Sequence, residues 1–166
     1  MSHDAVDTQS LYVRDGADYR RATAQELMKA LNRFISNRVR KGSSMESPHA
    51  VRAYLRMQLS QLEYEMFCML ALDNRHRLIA YLPLFRGTID GAAVHPREVV
   101  KEALRYNAAA VIFVHNHPSG IAEASNADKL ITQRLREALG LIDIRVLDHL
   151  IIASDQAVSF AELGLL

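Results

Sequence analysis

The apolar positions of the chain change period several times, and each change predicts an element. Between Thr23 and Arg40 the residues Leu27, Leu31, Phe34 and Ile35 fall on one helical stripe, and Gly42-Ser43-Ser44 breaks it. A second helix is expected from Ser47 as N-cap and Pro48 in its first turn, running through Val51, Leu55, Met57 and Leu62. From Tyr64 to Leu72 the pattern becomes a dense apolar run. The polar turn Asp73 to Arg77 closes that run and Leu78 to Phe85 follows, which predicts a β-hairpin. Pro96 opens a helix through Val99, Val100, Ala103 and Leu104, and Ala108 to Val114 reads as a short strand of the fully buried kind. His115 to Ala124, holding Pro118 and Gly120, is expected to be a loop, and Ser125 to Leu139 a helix ended by Gly140. Ile142 to Ile152 supplies another strand and Ser159 to Leu166 a short closing helix. The alternation gives an α/β or α+β layered fold, without internal repeats, and divides the chain into a helical extension over 1–46 and one domain over 47–166.

Composition narrows the chemistry. Apolar residues make up 49% and charged residues 23% of the 166 positions, enough to bury one core and too apolar for a disordered chain. The N-terminus lacks a basic and an apolar signal region, and no stretch approaches a membrane span, so a cytosolic protein is expected. Cys68 is the single cysteine, so a tight metal site has to be built from imidazole and carboxylate. A formal net charge of +1 is not the footprint of a dedicated DNA-binding domain. The local exception is Leu27 to Met45, with Lys29, Arg33, Arg38, Arg40 and Lys41 and no acidic residue. It reads first as the solvated face and last turn of a helix, where cations suit the helix dipole, and second as a weak nucleic-acid patch.

The candidate chemistry lies around the buried strand. Residues i and i+2 of an extended segment point to one side, so His115 and His117 at its end can meet one ion. Zinc accepts two such nitrogens and a carboxylate, leaving a fourth position for water. Asp128 can supply the carboxylate: Ser125 is a natural N-cap, which puts Asp128 at the third position of the helix, and the loop can fold that first turn back over the strand end. Alone, His-x-His is an ordinary polar strand end and Ser-x-x-Asp an ordinary capping box. Together they complete His-x-His-x7-Ser-x2-Asp. His149, in the strand VLDHLII, is open to two readings, a group supporting the site or a hydrogen-bonded core residue, with the core reading preferred; His3, His49, His76 and His95 have no matching carboxylate spacing.

HNHPSG followed by Ser125 to Asp128 resembles the JAMM motif of the JAB/MPN metalloproteases, in the wording of their RadC-like branch, and the likeness extends from about Ser47 to Phe160. It resembles the short form of that family, without an N-terminal helix-hairpin-helix region. The resemblance implies a cytidine-deaminase-like sheet flanked by helices, one zinc per chain, and a glutamate general base on the strand before the metal motif. The matching position is Glu65, with Glu63, of the same strand parity, as the competing assignment. It also implies that the Ser125 hydroxyl helps to stabilise a tetrahedral oxyanion. Asn116 departs from the Ser or Thr of the well-studied deubiquitinases, which weakens any transfer of ubiquitin-type substrates.

Two functions follow as expectations. One is a zinc-dependent peptidase or isopeptidase acting on a peptide or protein, with Glu65 carrying the proton and Ser125 facing the oxyanion. The other is a DNA-associated accessory protein, suggested by the repair label of the family, with a structural or vestigial zinc site and contacts through Arg33, Arg38, Arg40 and Lys41. The near-neutral charge argues against the second.

Overall fold

The structure is a computed structural model and describes residues 12–15, 18–27, 30, 48–88, 93–154 and 156–166. The chain divides into two compact units, Met1–Asn37 and Arg38–Leu166. The first contains an antiparallel pair, β1 (Tyr12–Asp15) and β2 (Asp18–Arg21), with Asp15 opposite Asp18 and Tyr12 opposite Arg21. Sequence periodicity did not reveal this hairpin, because its strands are four residues long and β2 is exposed throughout. A helical turn over 24–27 follows, consistent with the start expected at Thr23; most of the expected helix, the basic positions Lys29, Arg33, Arg38, Arg40 and Lys41, and the proposed cap Ser47 lie outside the described residues.

The second unit is built on a five-stranded sheet of order β4-β3-β5-β6-β7. Its strands are β3 (Met66–Leu72), β4 (Leu78–Arg86), β5 (Ala110–Asn116), β6 (Arg145–Ala153) and β7 (Gln156–Ser159). The helices are α1 (Pro48–Leu59), α2 (Pro96–Arg105) and α3 (Asn126–Gly140). β3 runs antiparallel to β4 and β5, whereas β5 and β6 are parallel, so α3 is the crossover that a parallel neighbour requires. This mixed sheet flanked by helices is the α/β layer architecture expected from the sequence.

Alternation along the strands separates two packed faces. Phe67, Met69 and Ala71 of β3 and Val111 and Phe113 of β5 join Val99 and Ala103 of α2 and Leu135 and Leu139 of α3 in one core. On the other face the Cys68 thiol accepts a hydrogen bond from Tyr81 Oη at 3.1 Å, and the Tyr81 ring meets Tyr54 of α1 edge-on at 6.0 Å. Burial pushes the Cys68 thiol up to about 11, so it is a packing group rather than a nucleophile. β5 is buried along its whole length, which is why its sequence reads as a continuous apolar run.

Three expected boundaries are corrected. The strand before the proposed loop runs on through His115 and Asn116, because β5 pairs with Phe67 of β3 on one side and with Ile151 and Ile152 of β6 on the other. The strand expected from Ile142 begins at Arg145, after a turn in which Asp143 takes φ 58°. The closing segment is not a helix: Gln156 to Ser159 pairs with Leu150 to Ala153 as β7, and turns follow. Asp148 anchors these turns by accepting bonds from Ser159 Oγ (2.6 Å) and the Ala161 amide (3.0 Å).

Candidate metal centre

Because β5 is the central strand, its last residues are held from both sides before they leave the sheet. His115 is 1% exposed, and its ring stacks on Phe67 directly across the ladder at 6.1 Å. Beyond Asn116 the His117 amide still donates to Ile152 O (2.8 Å), so the second histidine is positioned by the edge of β6. The chain then turns through Gly120 at φ 80°. A Cβ there would come within 3.1 Å of Ser154 Oγ, a contact that together with the positive φ favours glycine.

Asp128 reaches the same point from the helix side. Ser125 caps α3 in a capping box: its Oγ accepts from the Asp128 amide at 3.1 Å, and the Asp128 carboxylate accepts from the Ser125 amide at 2.8 Å. The Ser125 hydroxyl also donates to Asp128 Oδ2 at 2.6 Å. The cap therefore engages Oδ2 and leaves Oδ1 turned toward His115 Nε2, 3.2 Å away; His117 Nε2 lies 3.7 Å from Oδ2. Burial alone would raise the Asp128 carboxyl, but the neighbouring His115 ring and the two bonds from Ser125 hold it well below the usual carboxylate range.

The donor atoms of His115, His117 and Asp128 all lie within 4.8 Å of one another. His117 Nδ1 meets the Ile121 carbonyl oxygen at 2.8 Å; a carbonyl can only accept, so Nδ1 carries the proton and a neutral ring presents a bare Nε2. That nitrogen faces His115 Nε2 at 2.9 Å, with a carboxylate beside both. Lone pairs and a negative charge converging on one point fit a cation. Zinc with such ligands at its usual bond lengths would hold the donor atoms about 3.3 Å apart, close to the separations seen.

Glu65 lies just before β3. Gly87 donates its amide to Glu65 O (2.8 Å) and the Glu65 amide donates to Thr88 O (2.9 Å), so its backbone extends the β3–β4 ladder. The register pairs Phe67 with His115, and Glu65 shares the parity of Phe67, which puts it on the face of the sheet that carries the histidines. Glu63 is further out, in a bend, and exposed. Sequence reading missed what fixes this segment. The Asn116 side chain, 2% exposed, donates to Tyr64 O (2.9 Å) and accepts from the Met66 amide (2.8 Å), gripping the chain on both sides of Glu65.

His149 is wholly buried, as the preferred reading held, but it is more than packing. Its Nε2 is 2.8 Å from His115 Nδ1, and its Nδ1 is 2.6 Å from Thr132 Oγ1. The pattern VLDHLII carries no signal for this, since the partner Thr132 lies on a different element. The remaining histidines among the described residues stand apart from the group: His95 packs edge-on against Phe85, His76 sits at positive φ in the β3–β4 turn, and His49 is exposed at the start of α1, while His3 lies outside the described residues.

A layered α/β domain with two histidines at a central strand end and an aspartate on the crossover helix defines the class of JAB-type domains. The sequence comparison agrees: residues 45–165 match the family described as RadC-like JAB domain, and the chain belongs to that family. It is 59% identical over 140 residues to a UPF0758 protein of Cellvibrio japonicus, covering 84% of this chain and 62% of the relative. A UPF0758 protein of Marinobacter nauticus is 52% identical over 158 residues, 95% of this chain and 70% of the relative. One of Thioalkalivibrio sulfidiphilus is 54% identical over 166 residues, the full chain and 73% of the relative. The chain thus spans somewhat under two thirds of the first relative and somewhat more of the other two. No helix among the described residues is long and apolar enough to cross a membrane.

Proposed function

We propose that this chain is a zinc-dependent hydrolase of the JAMM type that cleaves a peptide or isopeptide bond in a protein substrate. One observation carries the reading: His115 Nε2, His117 Nε2 and the Asp128 carboxylate converge at the open end of the sheet, with His117 and Asp128 retaining 17% and 12% of their side-chain exposure. These three residues would hold one zinc ion. When bound, zinc supplies Lewis-acid polarisation of a carbonyl and makes water acidic enough to lose a proton near neutrality.

The rest is work for side chains. Glu65, on the same face and fixed by Asn116, takes the proton of the attacking water and returns it to the leaving amine. Ser125 holds the first turn of α3, and therefore Asp128, in place. Its hydroxyl, which donates to Asp128 Oδ2, can swing toward a developing oxyanion. The single cysteine, buried and unpaired, suits work in the reducing cytosol.

The test compares the proteomes of cells expressing the native chain and the Glu65→Gln variant, with zinc measured in both purified proteins. The expected result is that Glu65→Gln keeps its zinc while one or more uncleaved proteins or conjugates accumulate. Identical proteomes with equal zinc content would contradict the hydrolase reading.

A further inference from the structure

A chain of buried contacts joins the strand-borne and helix-borne residues of the metal centre beneath the surface. Thr132 Oγ1 lies 2.5 Å from the Asp128 carbonyl oxygen and 2.6 Å from His149 Nδ1; His149 Nε2 lies 2.8 Å from His115 Nδ1. Thr132 is 1% exposed and His149 0%, and the His149 ring is enclosed by Phe67, Phe113 and Phe160 at centroid distances of 5.4, 6.1 and 4.8 Å.

The direction of the protons follows from counting them. The Asp128 carbonyl can only accept, so the Thr132 hydroxyl proton must lie on that contact; otherwise two oxygens would face each other at 2.5 Å with no hydrogen between them. Thr132 Oγ1 is then free only to accept, which requires a proton on His149 Nδ1. A neutral His149 consequently has a bare Nε2, which accepts from His115 Nδ1–H, and His115 is left with a bare Nε2. That is the nitrogen facing His117 and Asp128.

We infer that Thr132 and His149 are positioning residues that fix the tautomer and orientation of His115 and tie it to the backbone of Asp128, so that two of the three ligands are set in register before any metal arrives. This rests on the reading of His115, His117 and Asp128 as ligands. A group that orients a metal-bound histidine typically changes metal affinity by about 10- to 100-fold when removed.

The experiment uses the metal-free native chain and the Thr132→Val and Thr132→Ser variants. Long-range ¹H–¹⁵N correlation spectra of the histidine rings report the tautomers, and competition with a chromogenic chelator reports zinc affinity. In the native chain both His149 and His115 should carry the proton on Nδ1. Thr132→Val, of nearly the same shape, should lose the single His149 tautomer and bind zinc about 10- to 100-fold more weakly. Thr132→Ser should restore both. A native His149 protonated on Nε2, or a folded Thr132→Val variant with unchanged tautomers and zinc affinity, overturns the inference. Failure of the native chain to take up zinc would instead overturn the ligand reading, while the ring spectra of the metal-free chain would still decide the relay.

Discussion

Two helix starts in this chain are built with the same capping box and differ in what faces the carboxylate. In the N-terminal unit Thr23 Oγ1 accepts from the Glu26 amide at 3.2 Å, and the Glu26 carboxylate accepts from the Thr23 amide at 2.9 Å. In the larger unit Ser125 and Asp128 repeat the exchange at 3.1 and 2.8 Å. In the first box the outer oxygen, Glu26 Oε1, is taken by Arg20 at 2.7 Å. In the second, Asp128 Oδ1 looks at an imidazole nitrogen of His115. A guanidinium has no lone pair and keeps its proton, so the first carboxylate is satisfied and the box is only a cap. An imidazole can offer a lone pair to the same cation as the carboxylate, so the second box becomes part of a ligand set. The capping spacing announces a helix start; the strand end opposite decides whether it is also a site.

The largest expected contrast comes from removing each carboxylate charge. Asp128→Asn should weaken zinc binding by about 100-fold or more, since losing a ligand exceeds the effect of losing its supporting partner. Glu26→Gln should leave zinc affinity unchanged. Chelator competition on both variants checks the pair, and equal effects would erase the distinction between the boxes.

Removing the caps should separate them again. Ser125→Ala is expected to destabilise the fold by about 0.5 to 2 kcal/mol and to lower zinc affinity and turnover together, whereas Thr23→Ala should touch neither zinc nor turnover. Ser125→Asp should restore the helix start, seen in thermal melts, without supporting hydrolysis, because an ionised carboxylate cannot donate to an oxyanion. Full activity in the alanine variant would remove Ser125 from the account.

Asn116→Ala tests the grip on Glu65. It leaves a carbonyl and an amide beside a buried strand without their partner, a loss of about 1 to 3 kcal/mol, and should depress kcat with little change in zinc affinity. An unchanged kcat would mean that Glu65 is held by its pairing with Gly87 and Thr88 alone.

The smallest effect is a titration. The Arg20 hydrogen bond, followed by those of Thr23, lowers the Glu26 carboxyl from 4.5 to about 2. A carboxyl lowered by folding stabilises the fold above its unfolded value and loses that contribution as pH falls toward the folded one. The N-terminal box should therefore weaken between about pH 4.5 and 2, sooner in high salt, where the exposed ion pair is screened. The Glu26 carboxyl chemical shift followed against pH checks this, and a midpoint at the ordinary value would break the parallel between the boxes.

These particulars show which parts were legible in the sequence. β3, β5 and α3 were readable because burial forces an unbroken apolar run or a helical stripe, and Ser125 as cap because its chemistry is local. The ends were not. β7 and β1–β2 are four-residue strands whose existence depends on a neighbour's backbone rather than on their own apolar period. The end of β5 at Asn116, two residues later than it was placed, was hidden by the nearby Pro118 and Gly120, which mark a loop without fixing where it begins. The contacts of Asn116 and Thr132 escaped, and the choice between the two readings of His149 could not be made, for a related reason: each acts on a residue of another element, and no spacing within one element encodes such a contact.

The most direct measurement is the zinc content of the purified chain, by elemental analysis, beside the His115→Ala, His117→Ala, Asp128→Ala and Glu65→Gln variants. The account predicts one zinc per native chain, loss in the first three variants and retention in Glu65→Gln. Native stoichiometry in all three ligand variants would contradict it.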